Sequence, residues 1–222
     1  MELYHLLNRG VEKRDIFLDD RDRFRFVHGL ALFNTAAAAN NTTYMLQKDF
    51  NDIVSPYRED SIVDIHGWCL MKNHYHLLLS ERVENGITLF IRKLNIGYAK
   101  YFNERYKHSG YVFQGRTKKI RINSDAHFLH ILHYIHLNPL DYVPGARAWR
   151  NGRVDEPGKA RKQLEKYRWS SYADYCGRYN FSSLLTMKFF KESVGDIEKK
   201  TLEYLESPRG NLEETLPTRF LE

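Results

Sequence analysis

Two histidines separated by one residue are the part of this sequence best suited to chemistry. His74 and His76 flank Tyr75 in an apolar run. Residues two apart on a β-strand point to the same face of the sheet, so the two imidazoles would lie side by side, as metal ligands do. Downstream, Tyr134 and Asn138 lie four residues apart on a predicted helix and would supply a nucleophile and a third ligand. The pattern predicts metal-assisted cleavage of a phosphodiester.

The strands and helices predicted around these residues indicate an α+β fold. We expect a ferredoxin-like antiparallel sheet covered by helices, with a C-terminal helical extension. Apolar runs and alternation predict strands over Leu3–Asn8, Ser61–Leu70, Asn73–Ser80 and Lys118–Ile122. Spacings of three and four predict a helix that follows Asp19-Asp20 and ends near Ala37, and further helices over Thr88–Tyr106 and Asp125–Leu137. Ser124 is the expected N-cap of the last of these, and Pro139 its terminator.

The domain organisation predicted is a catalytic domain over residues 1–145 and a charged insertion with a mainly helical extension, packed on the core, over 146–222. Tyr44–Arg58 is expected to be mostly loop. Asn151–Lys166, with Pro157-Gly158, is expected to be a loop or insertion. Two helical pieces are expected at Leu184–Ser193 and Asp196–Ser207.

Composition favours an anionic partner and a reducing compartment. Thirty-four Lys and Arg against 28 Asp and Glu give a net charge of +6. The segment Arg92–Arg121 holds nine basic residues and one acidic residue, interleaved with aromatics that could stack on unpaired bases. A solvated helix face with core aromatics explains this segment equally well. Cys69 and Cys176 lack CxxC spacing, and no apolar run reaches membrane-spanning length, so a cytoplasmic protein is expected.

The wheel of the helix Asp125–Leu137 separates a packed stripe from its polar edge. Tyr134, Asn138 and His127 lie just beyond the edge of that stripe, where a side chain is anchored yet able to reach a cleft. On its own, Tyr134 is better explained as a half-buried aromatic with a solvated hydroxyl. Four histidines recur every three positions but spread over half the circumference, which favours solvent or DNA contact over a second metal site; they are His127, His130, His133 and His136.

A family resemblance rests on seven segments that occur in the expected order. They are Tyr4–Gly10, Ile16–Asp20, Gly67–Leu79, Tyr101–Asn103, Phe113–Arg116, Tyr134–Pro139 and Trp169–Tyr172. In these segments the chain resembles the single-tyrosine HUH transposases of the IS200-like superfamily, specifically the REP-associated tyrosine transposase branch. This branch pairs a His-hydrophobic-His strand with one catalytic tyrosine on a helix.

The resemblance implies a role for each matching residue. His74 and His76 match the metal ligands, Tyr134 the nucleophile, and Asn138 a polar third ligand that is often glutamine in shorter transposases. The mixed nitrogen and oxygen ligands, without a thiolate, favour Mg²⁺ or Mn²⁺ over structural Zn²⁺. The resemblance further implies a 5′-phosphotyrosine with a free 3′-hydroxyl, and a bacterial cytoplasmic or nucleoid location. The implied partner is single-stranded DNA with hairpins, REP-like or at transposon ends. Homodimers and monomers both occur among such enzymes.

DNA-contacting residues are expected around the first strand, the histidine strand and the fourth strand. The candidates are Arg9, Lys72, Asn73, Gln114, Arg116, Lys118, Lys119, Arg121 and His127. The basic residues of the fourth strand would equally serve to protect an exposed sheet edge from aggregation.

Three further functions remain open at the level of sequence. The first is a domesticated hairpin-binding protein without cleavage activity. The second is a replication or conjugation-type HUH nickase, which the short chain disfavours. The third is a metal-dependent hydrolase of small phosphate esters, which would turn over without a tyrosine adduct.

Overall fold

The structure is a computed structural model, and it describes residues 1–37, 60–151 and 153–206. The predicted loop over Tyr44–Arg58 lies outside these residues. Four strands form one sheet: β1 (Leu3–Arg9), β2 (Val63–Leu70), β3 (His74–Glu81) and β4 (Lys118–Arg121). Their order is β2-β3-β1-β4, and all paired neighbours are antiparallel.

Two helices complete the repeating pattern of the fold. Helix α1 (Asp20–Leu32) joins β1 to β2, and helix α2 (Gly86–Tyr106) joins β3 to β4. The chain order β-α-β-β-α-β, with β1 and β3 in the centre of the sheet, is the ferredoxin-like arrangement. The predicted fold class is therefore confirmed.

Capping side chains set where the helices begin. Asp19 accepts a hydrogen bond from the backbone N–H of Asp22 at 3.1 Å and begins α1. This helix ends at Leu32, five residues before the predicted end. Helix α3 (Asp125–Leu137) has the predicted bounds, and Ser124 caps it by accepting from the backbone N–H of His127 at 3.2 Å.

The sheet is covered on both faces, because successive side chains of β3 point to opposite sides. Tyr75, Leu77 and Leu79 face the core formed with α1 and α2. Leu78 belongs instead to the core formed with α3 and the C-terminal helices. His74 and His76 share one face of the strand, as the sequence predicts, and that face lies on the α3 side.

A close approach holds α3 against the sheet. A Cβ atom at Gly67 of β2 would lie 2.8 Å from Leu132 Cδ1 of α3, so this position has no room for a side chain. Leu132 itself is fully buried. The small residue at Gly67 therefore lets α3 lie close above β2.

The C-terminal part continues this second core. It contains α4 (Pro157–Lys166), α5 (Tyr172–Tyr175), α6 (Lys188–Val194) and α7 (Ile197–Glu206). Short 3-10 helices cover Val11–Lys13, Asn138–Tyr142, Pro144–Asn151 and Ser182–Leu184. None of the helices in the described ranges is long and apolar enough to cross a membrane.

Helix α4 corrects the expectation of a loop over Asn151–Lys166. Pro157 occupies the first helical turn, where its fixed φ and missing N–H cause no loss. Ala160 and Leu164, four residues apart, are both buried and give the charged helix one packed side. The Pro-Gly pair indicated a turn, but in this context the proline begins the helix.

The segment Trp169–Tyr172 attaches the C-terminal part to β2. The backbone N–H of Leu70 donates to Trp169 O, and that of Ser171 donates to Trp68 O, both at 2.9 Å. The Ser171 hydroxyl also lies 2.8 Å from His136 Nε2 on α3. These bonds tie the extension both to the sheet and to the helix that carries Tyr134.

Candidate active site

Strands β1 and β3 place a group of polar side chains beneath α3. Their register pairs Leu7 with His76 and Arg9 with His74. The rings of His74 and His76 have centroids 5.0 Å apart, as expected for alternate residues on one strand. His5, on the same face of β1, approaches His76 with its Nε2 2.9 Å from His76 Nδ1.

Tyr134 lies over these imidazoles from α3. Its ring centroid is 5.8 Å from that of His76 and 5.9 Å from that of His5, and both contacts are edge-to-face. Trp149 packs on another side of Tyr134 at 5.7 Å. Tyr134 is only 2% exposed. The structure thus brings His74, His76 and Tyr134 together.

In both His74 and His76, another side chain contacts ring nitrogen Nδ1, and Nε2 is the nitrogen that remains available. Asn73 donates its amide N–H to Lys13 O, which directs its Oδ1 toward His74. His74 Nδ1 therefore donates to that oxygen at 2.6 Å, and Nε2 keeps its lone pair. His76 Nδ1 contacts His5, whereas His76 Nε2 is buried without a hydrogen-bond partner within the described part of the chain. An imidazole held by its second nitrogen is the usual state of a metal-binding histidine.

The electrostatics of the site keep both imidazoles neutral. Burial, helped by the charges of Arg9 and Arg150, lowers the pKa of His74 to about 3. Burial and the neighbouring histidines hold the pKa of His76 well below its usual value. Only the neutral imidazole binds a metal, so His74 and His76 fit that role chemically.

In contrast to the two histidines, Asn138 has both polar atoms of its side chain engaged in hydrogen bonds. Its Oδ1 accepts a hydrogen bond from Arg150 Nη2 at 2.9 Å, and its amide N–H donates to the backbone oxygen of Tyr134 at 2.8 Å. The residue is fully buried. An oxygen paired with a guanidinium is less available to a second cation, and the role of Asn138 as third metal ligand stays a prediction.

Arg150 is the main site residue that sequence reasoning missed. Its guanidinium pairs with Asp141, stacks on Trp149 at 4.3 Å and lies 5.9 Å from the centre of the Tyr134 ring. It belongs to the 3-10 segment Pro144–Asn151, beyond the part of the chain assigned to the catalytic domain. No periodicity or motif marks it, whereas His5 was detectable because it shares a strand face with Arg9.

The histidines of α3 are mostly buried, which corrects the expectation of solvent or DNA contact. His127, His133 and His136 are 2%, 8% and 0% exposed. His127 therefore does not occupy the exposed position that a DNA contact needs. His133 and His136 pair with hydroxyl groups of the C-terminal part, those of Thr201 and Ser171. These two histidines therefore link α3 to the C-terminal part by hydrogen bonds.

The other predicted DNA-contacting residues lie along one end and one edge of the sheet. Backbone hydrogen bonds from Gly10 to Asn73 and from Gln114 to Arg9, at 2.8 and 2.7 Å, gather three loops beside His74. The exposed members are Lys72, Gln114, Arg116, Lys118, Lys119 and Arg121. Strand β4 is an edge strand, and its Lys119 pairs with Glu81 at 3.1 Å. Asn73 is engaged in orienting His74.

Comparison with known proteins gives a family match and one similar solved structure. Residues 33–138 match the family model described as "Transposase IS200 like". A structure described as a REP-associated tyrosine transposase bound to a REP hairpin is similar over 82% of this chain and 84% of its own, at 14% identity and a TM-score of 0.49. No curated protein matches the chain. The matched residues include both histidines of β3 and Tyr134, and the resemblance to IS200-like transposases is confirmed for the stretch 33–138.

Proposed function

We propose that this protein is a metal-dependent strand transferase that cleaves and rejoins single-stranded DNA near hairpins. The observation that carries the proposal is the packing of Tyr134 on His76 and beside His74, within the stretch that matches the transposase family. A tyrosine, two neutral imidazoles and two guanidiniums are groups suited to attacking a phosphodiester. Hairpin DNA as the substrate follows from the motifs shared with the REP-associated branch.

In the proposed step, Tyr134 Oη attacks phosphorus in line with the bond to the 3′-oxygen. The Oη–P bond forms, the P–O3′ bond breaks, and the DNA 5′ end remains on Tyr134 as a phosphotyrosine. The phenolic proton is lost and the departing 3′-oxygen gains a proton, so the step needs no redox partner. Attack by a 3′-hydroxyl on the phosphotyrosine reverses these changes, so rejoining needs no nucleotide cofactor.

His74 and His76 are the residues that would hold a divalent cation, through the nitrogens not used by Asn73 and His5. Mg²⁺ or Mn²⁺ would polarise a non-bridging oxygen of the scissile phosphate. No cluster of three or more histidine, cysteine or acidic side chains suited to a metal occurs among the described residues. Asn138, the DNA phosphate and water are the candidates for the remaining ligands.

The test is adduct formation with labelled single strands that carry the genomic hairpins flanking the gene. Protein and DNA are incubated with Mg²⁺ or Mn²⁺ and separated under denaturing conditions. We expect a DNA-linked protein band in the wild type that disappears in Tyr134→Phe, in His74→Ala and with EDTA. The matched control is Tyr175→Phe, which removes a buried hydroxyl bonded to His66 O at 2.8 Å, away from the histidine pair.

A hairpin-binding protein without cleavage is the second candidate, and the burial of Tyr134 favours it. This side chain is 2% exposed, with Trp149 packed against its ring, so little of its surface is open to a phosphate. Hairpin binding that is equal in the wild type and Tyr134→Phe, with no adduct under either metal, would establish this alternative.

A further inference from the structure

We infer that Arg150 is a second phosphate-binding group of this site, acting with Arg9 to hold the scissile phosphate beside Tyr134. The inference rests on the proposed function for the identity of the anion. It assigns a role in the active site to the C-terminal part, which the sequence predicted only to pack on the core.

The position of Arg150 is fixed from several sides. Asp141 forms an ion pair with its guanidinium and also accepts from Trp149 Nε1 at 2.8 Å. Asn138 accepts from Nη2 at 2.9 Å, and the indole ring of Trp149 lies beneath the guanidinium at 4.3 Å. An arginine held by three different side chains is oriented before a ligand arrives, so little entropy is lost on binding.

The same guanidinium remains both charged and accessible. Burial opposes its charge, but hydrogen bonds and charges from Asp141 and Tyr134 raise the pKa of Arg150 above its usual value. Its side chain is 21% exposed, whereas Tyr134 beneath it is 2% exposed. A phosphate approaching Tyr134 therefore meets a permanent cation at the surface of the site.

Arg9 supplies a cation on the strand side of the same site. It lies opposite His74 in the strand register, and its charge acts on both His74 and His76, as that of Arg150 does. Arg9 Nε is buried without a hydrogen-bond partner within residues 1–37, 60–151 and 153–206. A buried donor without a partner points to a missing acceptor, and a phosphate oxygen is the acceptor that two guanidiniums would select.

This arrangement gives Asn138 a positioning role besides the metal-ligand role that the sequence predicts. Its amide joins Arg150 to the backbone carbonyl of Tyr134, one turn back on α3. Asn138 is then a positioning residue that sets the guanidinium relative to the tyrosine. The role needs an oxygen that accepts from arginine and an N–H that donates to a carbonyl, which an asparagine side chain provides.

The first test needs neither metal nor catalysis. Phenyl phosphate is titrated with protein in EDTA and followed by the ³¹P line width. We expect Arg150→Ala to weaken binding at least tenfold and Arg150→Lys to weaken it less, because lysine keeps the charge but loses the planar pair of donors. Arg147→Ala, which removes an exposed arginine from the same segment, should bind within twofold of the wild type.

Equal binding by Arg150→Ala and the wild type would overturn the inference. So would an equal loss in Arg147→Ala, since it would indicate only general surface charge, or an absence of binding in the wild type. Urea unfolding checks each variant. If Arg150→Ala does not fold, Arg150→Gln replaces it, because glutamine retains length and hydrogen bonding without charge.

The second test uses hairpin DNA with Mn²⁺ and separates this inference from the proposed function. At saturating DNA, Arg150→Ala should slow adduct formation about a hundredfold, and Arg150→Lys should lie between it and the wild type. A change in half-saturating DNA alone, with an unchanged maximal rate, would contradict contact with the scissile phosphate. If the wild type forms no adduct, the proposed function fails, while the phenyl phosphate titration still decides whether Arg150 binds an anion.

Discussion

Acidification should destabilise this protein well before its carboxylates titrate, because several histidines are buried without charge. His133 on α3 is the clearest case outside the candidate active site: it is 8% exposed and contacts Thr201 Oγ1 of α7 at 3.2 Å. Burial, with smaller contributions from His130 and Lys200, lowers the pKa of His133 from 6.5 to about 4. Its folded-state pKa lies below the unfolded one, so its contribution to stability is present above pH 6.5 and lost as the pH falls toward 4.

The size of the effect follows from linkage. At pH 5 the unfolded chain binds nearly one proton at this imidazole, while the folded protein leaves roughly nine in ten of these groups neutral. The free energy of unfolding should therefore fall by about 2 kcal/mol between pH 7 and pH 5 through His133 alone. His127, whose pKa burial lowers to about 4, and His136, whose pKa is held still lower, add losses of the same sign.

Urea unfolding at pH 7, 6 and 5 measures this loss directly. His133→Gln should lose about 2 kcal/mol less than the wild type over this range, because glutamine does not titrate. Thr201→Val is the matched control: it removes the hydrogen-bond partner and lowers stability at every pH, but it keeps the buried imidazole and therefore the pH dependence. Equal losses in the wild type and His133→Gln, or a measured pKa of His133 at or above 6.5, would refute the reasoning.

Two further predictions concern the attachment of the extension and the metal. Ser171→Ala should lower the free energy of unfolding by about 1–3 kcal/mol in urea unfolding. It removes the hydrogen-bond partner of the Trp68 N–H, 3.0 Å away, and of the His136 ring, 2.8 Å away. An unchanged midpoint would contradict this prediction. Mn²⁺ should bind weakly to the protein alone and at least tenfold more tightly once single-stranded DNA is present. The reason is that Arg9 and Arg150 repel a cation until a phosphate neutralises them. Electron paramagnetic resonance measures the binding through the signal of the free ion. Equal Mn²⁺ affinity with and without DNA would count against that electrostatic account.

The fold was predictable because its signals are local and agree with one another. Alternation in β3, the Ser124 cap and Pro139 each act within a few residues, and they set the strand faces and the bounds of α3. The burial of His127, His133 and His136 was not predictable from the helix wheel. Their partners, such as Thr201 and Ser171, lie 35 or more residues away in an extension that the wheel does not include.

The candidate site likewise contains residues that the sequence could predict and contacts that it could not. His74, His76 and Tyr134 could be found because they occur in motifs with fixed spacing. The role of Asn138 depends on Arg150, twelve residues further along, and no spacing rule joins an amide at the end of a helix to a guanidinium in an irregular 3-10 segment. The residue type is compatible with both a metal ligand and an arginine acceptor, and only the tertiary contact shows the second.

The contact between Asn138 and Arg150 places a second guanidinium in the site and so affects its charge balance. A divalent cation held by His74 and His76 would lie beside two arginines whose charges oppose it. A bound phosphate would make the arrangement favourable, because its negative charge would offset those of Arg9 and Arg150 and its oxygens would attract the ion. Binding of DNA and binding of metal are therefore thermodynamically linked in the proposed mechanism. A protein with these groups would remain without metal until it holds a strand, and its chemistry would be confined to the complex with DNA.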